Sequence, residues 1–353
     1  MTPPDTAARK PAPGPAAPGS DPGGPIRLQE VAAAAGVSTI TVSRCLNNPG
    51  RVSAATRERV LEIAGRLGYI PNRLASSLVS ARTGVIGAIV PTIGNPIHSE
   101  TLQAATDILG QAGYQLLLGD TGYSIAREAE LVQTFLGHRV DGMLITGARH
   151  TQGCAQALRR AGVPVVETFE FTPSPIDCNV GFSNHEAGAS LVRYLAGRGR
   201  RHIAFVEHAR IDDSRMNARR DGAMAAGREL GQTIDLHAID SDPGTGIGGE
   251  VIDAVLAARP ETDAVVFAGH QVAVGAIRHA IDRGIAVPER LAIVSFGDSP
   301  ISRWIRPALT TVRFPMQEMG REAARLLLGR LTGDQPAGSA INLGFEIMMR
   351  DSA

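Results

Sequence analysis

The chain has 353 residues, 43% of them hydrophobic, with 35 basic against 35 acidic side chains and three cysteines; that length holds a buried core and suggests two or three domains. No run of about 18 apolar residues occurs, and the N-terminus lacks the charged, apolar and small-residue segments of a secretory leader, so a membrane span and secretion are disfavoured and the cytoplasm is the expected compartment. Cys45, Cys154 and Cys178 are odd in number and far apart, which argues against a disulfide framework and against CxxC metal-ligand spacing, and reads as three buried thiols.

Residues 1–25 hold eight Pro, four Gly and five Ala with almost nothing to bury, so they cannot offset their ordering entropy and are expected to be a disordered tail. From Ile26 the pattern becomes helical. Leu28, Val31, Ala32 and Ala35 fall on one face of a short helix that Gly36 ends. Ser38 can cap a second helix with Val42 and Leu46 inward, broken by Asn47-Asn48-Pro49-Gly50. Ser53 can cap a third, with Val60, Ile63, Ala64 and Leu67 facing a core and Gly68 as the stop. Three short helices, the first two joined by a tight turn, describe an all-α helix-turn-helix domain over 26–71. Within 26–82 stand eight Arg against three Glu. A basic module on an acidic body is what a nucleic-acid reader joined to a second function looks like, although a chance cluster gives the same count.

Residues 84–353 alternate strand-length apolar runs (85–91, 114–119, 142–146, 163–166, 202–206, 264–268 and 291–296) with segments of helical period. Repeated βα units give parallel sheets covered on both faces. About ten strands predict two doubly wound lobes with a ligand cleft between them, at the carboxyl ends of the strands.

The stretches Leu28-Gln29-Glu30-Val31-Ala32, Ala35-Gly36-Val37-Ser38, Thr41-Val42-Ser43-Arg44 and Gly68-Tyr69-Ile70-Pro71-Asn72 resemble the LacI family of bacterial transcription regulators. Val140-Asp141-Gly142, Gly162-Val163-Pro164 and Leu309-Thr310-Thr311-Val312 extend the resemblance into the body. Pro164-Val165-Val166-Glu167, Val180-Gly181-Phe182 and Leu343-Gly344-Phe345 look most like its gluconate-repressor branch. The resemblance implies a helix-turn-helix domain followed by a hinge (72–83) and a two-lobed, periplasmic-binding-protein-like α/β domain for effector binding and dimerisation. Its N-lobe is expected at about 84–178 and 311–340, its C-lobe at about 179–310 and 341–353.

By the same resemblance, the helix after Ser38 enters the major groove. Thr39, Ile40 and Arg44 are the base-contact candidates: Arg can take guanine O6 and N7 together, while Ile offers apolar contact, for instance to a thymine methyl. Ser38, Thr41, Ser43, Asn47, Ser53, Thr56 and Arg57 match backbone-phosphate positions, the Ser and Thr residues being alternatively plain helix caps. Asn72, Ala75 and Leu78 match a minor-groove hinge, with Leu78 either a wedge between base steps or packed against the core domain. The expected DNA partner is a palindromic double-stranded operator read by a homodimer, and the end of the chain at Ala353 with no heptad segment favours dimer over tetramer.

In the effector cleft, Arg219 matches the family's ligand-binding arginine, against the alternative of a solvated surface Arg. The family commonly has Asn-Asp where this chain has Gly269-His270, and Asp where it has Gly297. Hydroxyl recognition then falls to Glu167, Asp298 or the loop carrying Ile97 and His98, with Gly269 lining the cleft. An arginine kept while acceptors are lost favours an anionic sugar acid such as gluconate over a neutral sugar or nucleoside.

Gly244-Thr245-Gly246-Ile247-Gly248-Gly249 fits the dinucleotide pattern GxGxxG, but three residues separate it from the preceding strand and it lies late in the chain; a mobile loop leading to a helix at Glu250 is the better reading. Asp212-Asp213 and His270 lack any accompanying catalytic motif, so neither an enzyme, a cofactor nor a metal is expected. A solute-binding receptor would share the two lobes but not the helix-turn-helix or the missing leader.

Overall fold

The structure, a computed structural model, describes residues 26–47, 49–70, 82–209, 213–240 and 245–353. The expected disordered tail, the hinge positions Asn72, Ala75 and Leu78, and the side chain of Asn47 lie outside the described residues. Two compact units divide between Thr83 and Gly84.

The first unit consists of α1 (Leu28–Ala35), α2 (Thr39–Asn47) and α3 (Ala54–Leu67). One device starts the last two helices. Ser38 Oγ accepts from the Thr41 N–H at 3.1 Å and Ser53 Oγ from the Thr56 N–H at 3.3 Å, and in each pair the two hydroxyls lie 2.9 Å apart. Each such cap is worth about 1 kcal/mol, appreciable for a unit with so few buried side chains. Gly36 closes α1 at φ +62°, a left-handed conformation that glycine adopts without steric cost. The core is Val31, Ala32, Ala35, Val42, Cys45, Val60, Ile63 and Ala64, with Leu46 and Leu67 packed at its margin.

The second unit contains two six-stranded sheets. The first comprises β1 (Val85–Val90), β2 (Gln115–Asp120), β3 (Gly142–Thr146), β4 (Val165–Thr168), β5 (Cys178–Gly181) and, from the far end of the chain, β11 (Ala340–Asn342). Its order is β11-β5-β4-β3-β1-β2, all parallel. Helices α4 (Pro96–Gln111), α5 (Ile125–Gly137), α6 (Gln152–Ala161) and α12 (Met316–Thr332) belong to this lobe. The second sheet comprises β6 (His202–His208), β7 (Thr233–Ile239), β8 (Ala264–Phe267), β9 (Ala292–Phe296), β10 (Thr310–Arg313) and β12 (Glu346–Met348), in the order β12-β10-β9-β8-β6-β7. Only the β10–β12 pair is antiparallel. Its helices are α7 (Asn184–Gly197), α8 (Ser214–Leu230), α9 (Gly248–Ala258), α10 (His270–Asp282) and the single turn α11 (Ile301–Trp304).

The chain crosses between lobes a few residues later than the sequence reading placed it. Cys178 pairs with Val166, so 178–181 complete the first sheet, and Thr311 and Val312 pair with Ser295 and Phe296, so 310–313 belong to the second. Each of these two crossings carries a phenylalanine directly after its strand. Phe182 and Phe314 are fully buried and stack at 4.1 Å between centroids, so the two connections share one piece of core. The glycine-rich segment begins α9 at Gly248, two residues before the expected start. A Cβ on Gly248 would lie 2.2 Å from the Ala276 nitrogen, so that glycine serves helix packing. No helix among the described residues is long and apolar enough to cross a membrane.

Candidate functional site

On α2 the apolar side is spent inward: Val42 and Cys45 are buried. Thr39 and Ser43, and Ile40 and Arg44, are i, i+4 pairs, so the four share the other side of the helix. Ile40 is 63% exposed and Arg44 is exposed, an apolar and a cationic group side by side with no core function. Ser38, Ser53 and Arg57 are also exposed, while Thr39, Thr41, Ser43 and Thr56 are half-buried. Ser38 and Ser53 do cap their helices, and a capped helix N-terminus still presents further N–H groups to an anion.

In the second unit, strand ends of both sheets converge on a cleft of about 460 Å³. Asn95, Ile97 and His98 reach it from the start of α4, Phe169 from the end of β4, Asp213, Arg215 and Arg219 from α8 and its cap, and Gly269 and His270 from the start of α10. Asn95 caps α4 by accepting from the Ile97 N–H, and Asp213 caps α8 by accepting from the Arg215 N–H. Gly269 offers no side-chain cap to α10, which leaves that helix start with N–H groups for a ligand.

Arg219 is held on several sides. Its Nε donates to Asn184 Oδ1 at 2.8 Å, and its guanidinium lies 5.1 Å and 4.9 Å from the Phe296 and Phe314 ring centroids. Burial, then the neighbouring Arg215, lowers its pKa to about 10, still charged at neutral pH. Asp213 and Arg215 form a buried ion pair through Nε at 2.9 Å and through Nη2. Burial would raise the Asp213 pKa, but Arg215 outweighs it and holds the carboxyl at about 2. Two guanidiniums therefore face one carboxylate. Burial, then Arg215, drives His98 down to about 3, so its ring is neutral, and its buried Nδ1 has no hydrogen-bond partner among the described residues.

Arg219, Ile97, His98 and Gly269 thus line one cleft; Glu167 and Asp298 do not. The Glu167 carboxylate is taken up by His150 Nε2 at 3.1 Å and by the Ile176 N–H at 2.7 Å, inside the first lobe. Asp298 is clamped by Arg313 and by Arg350, each at 2.8 Å. Both carboxylates are occupied by partners remote in sequence, which corrects their expected role as hydroxyl acceptors. Gly297 explains its own departure from the family pattern: it sits at φ +91°, and a Cβ there would meet Ile97 Cδ1 at 2.5 Å. An acidic side chain at 297 would adopt a strained left-handed backbone and would have to displace the Ile97 methyl.

Sequence reasoning missed Tyr123, Phe169, Arg215 and the Asn184 bracket. Tyr123 and Phe169 have φ of +62° and +66°, an uncommon backbone state for aromatic residues, and both border the cleft. No residue pattern announces such a conformation. The Asp213-x-Arg215 spacing at a helix start was a usable signal.

Residues 27–72 match the family described as bacterial regulatory proteins, lacI family, and residues 192–353 match a periplasmic binding protein-like domain. The HTH-type transcriptional regulator GntR of Pseudomonas aeruginosa is 34% identical over 92% of this chain and 95% of its own length. GntR of Escherichia coli K12 is 32% identical over 91% and 96%. The crystal structure of a LacI family regulator from Silicibacter pomeroyi superposes with a TM-score of 0.88 at 30% identity, covering 93% of this chain and 99% of that one. With the DNA-binding module matched at one end, the two-sheet body at the other, and regulators similar across nearly the full length, the chain belongs to the lacI family of bacterial regulatory proteins and is a transcriptional regulator.

Proposed function

We propose that this regulator is a homodimeric repressor of a palindromic operator, controlled by a sugar acid of the gluconate type bound in the Arg219 cleft. The observation that carries the effector class is charge: among the described residues that line the cleft, the guanidiniums of Arg215 and Arg219 stand against one carboxylate, that of Asp213, with Glu170 acting on both from beyond the lining, and the start of α10 adds uncapped N–H groups, an arrangement that favours an anion. Neutral His98 with its unpartnered Nδ1 suits a ligand hydroxyl. The likeness to the gluconate-repressor branch points the same way. Coupling is reciprocal, so an effector that weakens operator binding is itself bound more weakly on the operator by the same factor.

A thermal-shift comparison of gluconate, glucose and a nucleoside tests the effector class, because a ligand that binds only the folded state raises Tm by mass action. Stabilisation by gluconate supports the acid; stabilisation by glucose or the nucleoside alone replaces it with a neutral effector.

Arg44 is assigned to direct base reading. Arg44→Ala is expected to cost about 1–3 kcal/mol on the cognate operator and to relax one base position. Binding titrations at fixed salt against cognate and random duplexes decide this, since equal losses on both would make Arg44 a phosphate contact.

The dimer is assigned to the second lobe. On α11, Trp304 is 75% and Ile301 46% exposed, an apolar pair that a second copy would cover. Sedimentation should find Trp304→Asp monomeric where the parent is dimeric, with operator affinity reduced about a hundredfold or more as two linked half-sites become one. A Trp304→Asp protein that stays dimeric moves the interface elsewhere.

A further inference from the structure

The first lobe buries a group of ligand-type side chains that the cleft does not use. Glu128 comes from the first turn of α5, His150 from the connection between β3 and α6, and Cys154 from the first turn of α6. His150 Nδ1 lies 2.6 Å from Glu128 Oε1, and Cys154 Sγ lies 3.9 Å from the same oxygen. All three ligand atoms fall within 4.8 Å of one another. The His150 and Glu128 side chains are only 2% and 10% exposed. On the other side of the ring, Nε2 faces Glu167 Oε1 at 3.1 Å.

A protonated histidine between two carboxylates accounts for part of this. Burial opposes the charge on His150, but its hydrogen bonds to Glu128 and Glu167 prevail and raise its pKa to about 9. It does not account for the cysteine. Its Sγ stands buried 3.9 Å from the same Glu128 oxygen that meets the imidazole, a sulfur donor that neither histidine–carboxylate pair uses. A divalent cation between the three atoms would take thiolate, imidazole and carboxylate together as ligands.

We propose that Glu128, His150 and Cys154 bind a zinc-class divalent cation, with Glu167 holding His150 in place as an outer carboxylate. Sulfur, nitrogen and oxygen donors are the set zinc takes, and bonds of about 2.0–2.3 Å in a tetrahedron put ligand atoms roughly 3.3–3.7 Å apart. The present 2.6 Å and 3.9 Å separations bracket that range and the third lies within 4.8 Å, so occupation needs side-chain movement on the order of 1 Å. Metal-bound histidines commonly donate their second ring N–H to a carboxylate, and Glu167 stands there. A pocket bordered by Ser124, Glu128 and Thr146 reaches the group from its Glu128 side. Charge balances: the cation displaces the thiol proton and the Nδ1 proton of the imidazolium, two protons for two positive charges, and both leave to solvent.

The test uses full-length protein stripped with EDTA and titrated with cobalt(II) chloride, whose thiolate charge-transfer and tetrahedral ligand-field bands report sulfur ligation directly. The expected result is saturation at one ion per chain, reversed by zinc chloride. The charge-transfer band should vanish in Cys154→Ser and persist in Cys45→Ser and Cys178→Ser. Should Cys154→Ser fail to fold, His150→Gln reads the same site, with cobalt affinity expected to fall tenfold or more. Absence of the band at millimolar cobalt, its survival in Cys154→Ser, or unchanged affinity in His150→Gln overturns the proposal.

Discussion

On the proposed sugar-acid reading, Arg219→Ala is expected to bind gluconate about a hundredfold more weakly than the parent while binding operator, in the absence of effector, within about twofold of it. The asymmetry follows from where the side chain lies. Its guanidinium is buried between the Phe296 and Phe314 rings and anchored on Asn184, all within the second unit. A charge-assisted hydrogen bond to a carboxylate is worth about 1.5–3 kcal/mol, and removing one partner of a buried pair leaves the other unsatisfied. Arg219→Lys separates charge from shape. An ammonium keeps the charge but cannot bond Asn184, stack between two rings and fork onto a carboxylate at once, so recovery should stop about tenfold short of the parent. Calorimetric titration of gluconate into the three proteins, paired with operator titrations, checks both halves. An alanine variant with parental gluconate affinity would remove Arg219 from the binding surface. One that loses operator affinity to the same extent would make the residue structural.

Which residues were legible beforehand follows from how far away their partners lie. The helix-turn-helix unit depends on contacts within a few dozen residues, so Ser38 and Ser53 as caps and Val42 and Val60 as core could be read from spacing alone. The cleft is assembled from strand ends far apart in sequence, and there the reading held unevenly. Arg219 could be placed because its neighbourhood resembles the family's. Asp298 was misjudged because Arg313 and Arg350, which occupy it, arrive from β10 and the C-terminal segment. Glu167 was misjudged in the same way, since His150 reaches it from the loop after β3. In the Glu128, His150 and Cys154 group, His150 and Cys154 stand four residues apart, but Glu128 comes from a helix 22 residues before His150, so the pair alone announced no site. Gly297 read as the loss of an acceptor; in three dimensions it is also the room that Ile97 requires.

The contact between α7 and α8 sets the other large effect. A Cβ built on Gly188 lies 1.9 Å from the carbonyl oxygen of Arg219, and one on Gly222 lies 1.9 Å from that of His185. The obstruction is helix backbone in both cases, so no side chain can turn aside. Relief requires parting helices of 14 and 17 residues across a buried face. In an unobstructed helix interior Gly→Ala stabilises by about 1 kcal/mol, and exposed Gly110 in the last turn of α4, with nothing within 4 Å of its built Cβ, should gain in the same direction by less. Gly188→Ala and Gly222→Ala should instead cost about 3 kcal/mol each, since overpacking against a fixed backbone exceeds that gain. For a unit of this size the cost corresponds to a fall of roughly 6–12 °C in Tm, measurable by calorimetry. The two variants should differ in function. Gly188→Ala presses on the backbone of Arg219 itself and should weaken gluconate binding in protein that remains folded, whereas Gly222→Ala presses on His185, outside the cleft lining. Parental gluconate affinity in both would mean that the position of Arg219 does not depend on this helix contact. Parental melting temperatures in both would mean that the helices stand farther apart than the glycines require.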